Sequence, residues 1–95
     1  MEIGTPDMLA HSWVIGKRTT GMLTVREMQL MHILKDSPVA AKQIRTLLWG
    51  KGPSRSVNHK TLHVHIHNLR KKVSKLGLRI LHGEQGCYHL EHKDV

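Results

Sequence analysis

Nineteen residues, Asn58 to Leu76, constrain the fold more than any other part of the chain; they read NHKTLHVHIHNLRKKVSKL. Leu62, Ile66, Leu69, Val73 and Leu76 recur at i, i+4, i+7, i+11 and i+14. That spacing is one apolar stripe on an α-helix, so one side of the helix must be buried in a core. At about 100° per residue, Lys60, Val64, His67, Asn68, Lys71 and Lys75 fall on the opposite side. No carboxylate interrupts the stretch. Such a helix can dock in a small domain and still face a polyanion. A DNA-recognition helix and a surface helix with a solvated basic side both fit this stretch taken alone.

Charge separates the two readings. Residues 1–40 hold four bases and four acids, which cancel, whereas residues 41–95 hold eleven bases and three acids and so carry the whole net charge of +8. Between Asp36 and Glu84 there is no acid. A one-sided positive field favours a polyanionic partner. The basic side of the helix carries no Trp or Phe anchor, which disfavours a membrane surface. No apolar run approaches the length of a bilayer span, and the N-terminus lacks a signal-peptide core. The lone Cys87 has no partner for an intramolecular disulfide, which suits a reducing cytosol.

Ninety-five residues predict a single domain, 1–95. Residues 1–23 lack helical periodicity and offer short apolar pieces, Met8-Leu9, Trp13-Val14-Ile15 and Met22-Leu23, set off by glycines. Two or three short antiparallel strands are expected there, with a turn at Thr19-Thr20-Gly21. Thr24-Val25-Arg26-Glu27 is a capping box opening a first helix to about Lys35, with Val25, Met28, Met31 and Leu30 or Leu34 inward. Pro38 ends it. Val39 begins an extended link, and a second helix spans about Ala41 to Trp49 with Ile44, Leu47 and Leu48 inward and Gly50 as its stop. Gly50 to Ser56 reads as a flexible basic loop, without the spacing of a phosphate-binding P-loop. Asn58 is the expected N-cap of the third helix and Gly77 its C-terminal stop. Leu78–His82 and Cys87–Glu91, joined by Gly83-Glu84-Gln85-Gly86, predict a hairpin over 78–91. The expected class is α+β: short N-terminal antiparallel strands, three helices over 24–77 and a C-terminal β-hairpin wing, the layout of a winged helix-turn-helix.

From Leu23 to Leu90 the chain resembles the C-terminal DNA-binding domain of OmpR/PhoB-type response regulators. Leu23-Thr24, Glu27-Met28 and Leu30-Met31 resemble the family's opening of the first helix. Val39, Ile44, Leu47, Leu48, Trp49 and Gly50 resemble its second helix. Lys60 to Val73 resembles its third, and Gly86-Cys87-Tyr88-His89-Leu90 its close. The resemblance implies a bacterial transcription regulator that binds double-stranded DNA, with the third helix in the major groove and the wing at the minor groove. Thr61, Val64, His65, His67, Asn68 and Arg70 match the groove-facing positions. Asn68 is suited to an adenine edge and Val64 to a thymine methyl, whereas Lys60, Thr61, His65, Arg70, Lys71 and Lys75 are suited to phosphates. Arg79 and His82 would serve the wing, and Trp49 and Arg55 the backbone. The resemblance also implies head-to-tail pairing on DNA, contact with RNA polymerase through the 50–57 loop, and a cytoplasmic, nucleoid-associated place. An adaptor that binds polymerase or another regulator is the alternative function.

Departures from the family pattern are concentrated in histidines. The Asp usual inside the third helix is His63, two positions that often carry Arg are His67 and Asn68, the usual wing Arg is His82, and Cys87 lengthens the turn before Tyr88. The base preference is therefore expected to move away from guanine. Ninety-five residues leave no room for a receiver domain, so phosphorylation by a partner kinase is not the expected switch. His59, His63 and His67 share one helical flank but lack the further ligands of a structural zinc site, so neither a metal nor any other cofactor is expected. Histidine gains charge as pH falls below neutral, which predicts tighter polyanion binding in mild acid. No catalytic constellation is present: Cys87 and His89 share a strand face without an orienting third group.

Overall fold

The computed structural model describes residues 3–36, 38–50, 55–83 and 86–93, the side chains of 55–60 excepted. An N-terminal antiparallel sheet comes first: β1 (Thr5–Asp7), β2 (Ser12–Ile15) and β3 (Arg18–Thr19), in that order. Then follow α1 (Val25–Leu34), β4 (Val39–Ala40), α2 (Ala41–Trp49) and α3 (Arg55–Val73) with a 3-10 turn at Ser74–Leu76. β5 (Leu78–His82) and β6 (Cys87–His92) form the C-terminal hairpin. The α+β winged helix expected from the sequence is the fold observed.

The stripe on α3 is buried as its spacing requires: Leu62, Ile66, Leu69, Val73 and Leu76 are all at most 2% exposed. They pack with Leu30, Met31 and Leu34 of α1, Ile44 and Leu48 of α2, Leu78 and Ile80 of β5, Tyr88 of β6 and Trp13 of β2 in one cluster. Trp13 ties the first sheet into that cluster. Its indole N–H donates to the Ile3 carbonyl (2.9 Å), and its backbone N–H donates to the buried hydroxyl of Thr20 (3.1 Å). Gly4 (φ 95°) lets the chain pass this close, since a Cβ there would run into the Val14 carbonyl and Ile15.

Several expectations need correction. α3 begins at Arg55, so Asn58 lies inside the helix and is not its cap. The punctuators Gly50, Gly52 and Pro53 all precede Arg55, and a helix anchored by its buried stripe extends backward at little cost until such residues stop it. Residues 51–54 of the expected loop lie outside the described residues. Met8-Leu9 is a turn rather than a strand: the Asp7 carboxylate accepts from the Leu9 and Ala10 amides (3.2 Å each), and Leu9 is 97% exposed. The β2–β3 turn is Gly16-Lys17, not Thr19-Thr20-Gly21, with Gly16 at φ 57°. Met22-Leu23 is no strand either. In α1 the inward side runs Glu27, Leu30, Met31, Leu34, with Met28 at its edge, and leaves Val25 73% exposed. In α2, Leu47 lies outward, 58% exposed. Val39-Ala40 is a third strand of the wing, Val39 opposite Tyr88 and Ala40 opposite Cys87.

The caps follow local chemistry. The Thr24 hydroxyl accepts from the Glu27 amide (3.2 Å) and the Glu27 carboxylate from the Thr24 amide (2.8 Å), closing the capping box. Gly50 (φ 77°) donates to the Thr46 carbonyl and Gly77 (φ 76°) to the Ser74 carbonyl, ending α2 and the 3-10 turn. Glu27 has a second role. It is 1% exposed and accepts from Lys72 Nζ of α3 at 2.6 Å, while the same ammonium donates to the Met22 carbonyl (3.2 Å). A buried carboxylate stripped of its cation is costly. Lys72→Met is expected to lower unfolding free energy by about 3 kcal/mol in urea titration, and Lys71→Met, one position round the helix, by less than about 0.5 kcal/mol. Equal losses would show that the ion pair does not hold α1 to α3.

Candidate nucleic-acid interface

Burial of the stripe decides what α3 presents outward. His63, Val64, His67, Asn68, Arg70 and Lys71 are exposed, as are Ser74 and Lys75 of the following turn. Val64 is 57% exposed, an aliphatic side chain kept out of the core by the rotation of the helix. Thr61 and His65 are half-buried. Arg55 and Lys60 lie on α3, but their side chains are outside the described residues, as is that of His59. Of the set read from the sequence, Val64, His67 and Asn68 share the outward side, with Thr61 and His65 half-buried at one margin and Arg70 at the other, against the wing.

His65 is set against Trp49 at the end of α2, ring centroids 6.2 Å apart and planes 27° from parallel. The Arg26 guanidinium of α1 lies 5.2 Å from the centre of the same indole and donates to the Leu48 carbonyl (2.8 Å) and to Gln29 (3.0 Å). Cation, indole and imidazole thus link the three helices at the edge of the exposed α3 surface. Arg26 was not singled out from the sequence; its distance from the partners it finds, Leu48 and Trp49, hides it there.

The cations divide between internal and outward work. Arg70 Nε donates to the Ile80 carbonyl of β5 (3.2 Å), bracing the wing against α3. Arg79 of β5 faces Glu91 of β6 across the register and pairs with it, Nε to Oε1 at 2.6 Å. His82, exposed at the end of β5, stacks on Tyr88, centroids 4.3 Å apart and planes 11° from parallel. The wing's two expected contact residues are thereby held in place by its own strands. Cys87 is half-buried on β6 opposite Ala40.

A cleft of ≈ 340 Å³ opens between the start of α2, the middle of α3 and the wing, lined by Ala40, Ala41, Lys42, Arg45, Leu62, His63, His82, Gly86 and Tyr88. Lys42 and Arg45 escaped the sequence reading, in which α2 served only as support. The acid-free run from Asp36 to Glu84 contains both and was the available signal. Among the described residues, no group of three or more His, Cys, Asp or Glu converges as a metal site. No helix among them is long and apolar enough to cross a membrane.

Residues 18–86 match the family described as transcriptional regulatory protein, C terminal, and the chain belongs to that family. This is a DNA-binding domain of transcription regulators, a family that binds double-stranded DNA and is not catalytic. No curated protein and no solved structure matches the chain.

Arg79 sets the charge state of Glu91 in the wing. Its hydrogen bond to Glu91 holds that carboxyl below the usual carboxylate range; partial burial opposes the shift, the Arg79 charge adds to it, and His89 adds a smaller pull in the same direction. A carboxylate with a lowered folded pKa contributes stability above its unfolded pKa and loses it as pH falls through the folded one. The wing pair is thus intact at neutral pH and lost in acid. Arg79→Ala is expected to raise the Glu91 titration midpoint, read by carboxyl carbon NMR. An unmoved midpoint would show that the cross-strand pair is absent in solution.

Proposed function

We propose that the chain is a sequence-specific double-stranded DNA-binding transcription regulator, with α3 in the major groove and the wing at the minor groove. The observation that carries this reading is the outward side of α3: Val64, His67, Asn68 and Lys71 are exposed on a helix whose rotation is held by five buried side chains. Asn68 offers the bidentate amide that matches an adenine edge, Val64 an aliphatic contact for a thymine methyl, and His67 a further donor or acceptor. Arg55, Lys60, Thr61, Lys71 and Lys75 serve phosphates, with His65, Trp49 and Arg70 at the flank and Arg79 and His82 on the wing. Residues 1–95 act as one domain, since strand, helix and wing residues share one core. A single copy reads a short site, so two copies pair on DNA, and the place of work is the nucleoid in the cytoplasm.

A protein contact is the second reading, favoured by exposed Leu47, which lines a shallow groove with Gln29, His32, Ile33 and Leu48. RNA polymerase is the partner the family resemblance suggests, through the 50–57 loop, of which residues 51–54 lie outside the described residues. Charge reversal at Lys71 separates the readings: it should weaken retention on DNA and spare a polymerase complex that survives nuclease.

Selection from a random duplex pool at near-physiological salt tests the main reading. One short enriched motif is expected, and Asn68→Ala is expected to cost about tenfold or more in affinity for it. Affinity should fall steeply with salt, because each neutralised phosphate releases counterions. Retention without enrichment would overturn sequence specificity. No retention would overturn DNA binding.

A further inference from the structure

The last turn of α2 holds no basic residue, so its own sequence does not provide the cation that a helix C-terminus favours. α1 supplies it. Arg26, half-buried, donates from Nη1 to the Leu48 carbonyl (2.8 Å) and keeps its guanidinium 5.2 Å from the centre of the Trp49 indole. The same nitrogen donates to Gln29 Oε1 (3.0 Å), one turn further along α1, which steadies it there. A planar guanidinium can bond a carbonyl and face an indole at once, which a compact ammonium does less well.

Through Trp49 this contact reaches α3. The indole lies against the His65 ring, centroids 6.2 Å apart and planes 27° from parallel, and both residues are half-buried. His65 comes four positions after Thr61 and three before Asn68, so the three are neighbours on one flank of the helix. Trp49 is the last residue of α2, and Gly50 (φ 77°) follows it. A large side chain at a helix end is costly to order at the moment of binding, and so is the imidazole beside it. A guanidinium that holds the indole in the free chain removes that cost in advance.

We propose that Arg26 is a positioning residue for duplex binding. It holds Trp49, and through Trp49 the His65 flank of α3, in one arrangement before DNA arrives, and it makes no DNA contact of its own. The role rests on the reading of α3 as the helix that enters the groove. It places a determinant of affinity on α1, a helix that otherwise serves the core.

The test compares the wild type with Arg26→Met, which keeps an aliphatic stem and removes the guanidinium. In the free chain, NMR should show the Trp49 indole N–H and the His65 ring signals moved. The Trp13 indole, bonded to the Ile3 carbonyl, should stay in place and so report a folded chain. Duplex affinity is then measured against salt, with a short duplex of the enriched motif or, where selection enriches none, of random sequence. Affinity about tenfold lower with an unchanged salt slope is expected. A slope lower by about 1 would make Arg26 a phosphate ligand and overturn the role. Signals that do not move, or affinity that does not fall, would overturn it too. In a Trp49→Leu background, Arg26→Met is expected to cost less than about twofold, because its effect passes through the indole; an undiminished loss would refute that route. In Arg26→Lys, which keeps the charge and guards against a variant that fails to fold, affinity and the His65 signal should be retained together or lost together. Either one changing alone overturns the role. A wild type that binds duplex no better than its variants loses this role only. A wild type that binds no duplex loses the DNA reading, and this role with it.

Discussion

Packing of the α3 stripe is the constraint on which the rest depends. Five aliphatic side chains, Leu62, Ile66, Leu69, Val73 and Leu76, are withdrawn from water against α1, α2, the wing and Trp13. At about 2 kcal/mol for each fully buried side chain, the set contributes on the order of 10 kcal/mol before the cost of ordering. Turning the helix by one position would replace those residues with His63, His67, Arg70, Ser74 and Gly77. Three of those side chains are titratable or charged, and burying them unpaired costs several kcal/mol more. The rotation of α3 is therefore set by its inner side, and the identity of the outer side follows without any further contact being needed to specify it.

The same economy governs charge. Glu27 is the one acid that the described contacts bring to α3, and it is spent inside, where it closes the α1 cap and pairs with Lys72. Glu91 pairs with Arg79 in the wing, and the Ile80 carbonyl takes Arg70. These cations hold one element to another. Lys71 and Lys75 stay exposed, and Lys42 and Arg45 line the cleft. A domain with a net charge of +8 thus keeps part of its positive charge for structure and leaves Lys71 and Lys75 exposed on and just after α3. Net charge alone would not have distinguished the two groups; burial and partners do.

What could be read from the sequence was whatever is encoded locally. The Thr24–Glu27 box, the bounds of α2, the stop at Gly77 and the strands of the wing each rest on residues a few positions apart, and each stands where expected. The errors share a different character. β1 to β3 are two to four residues long and are held by Trp13 and Thr20 rather than by their own pattern, so their apolar pieces misplaced them. Val25 faces water because the inward position belongs to Glu27, an acid that becomes acceptable there only once Lys72 arrives from forty-five positions away. Val39-Ala40 becomes a strand only because β6 lies beside it. The outward set on α3 was legible because periodicity reports rotation directly. The cleft was not, because no periodicity links positions 42, 45, 63 and 82.

Histidine at 63, 67 and 82 gives these two surfaces different characters from one composition. On the open side of α3, exposed His67 beside exposed Asn68 offers hydrogen-bond donors and acceptors. On the proposed reading, affinity would come from the flanking lysines while the pair would discriminate between base edges. In the cleft, His63 and His82 stand beside Lys42 and Arg45 over Ala40, Ala41 and Leu62, and the His82 ring is fixed by its stacking on the buried Tyr88.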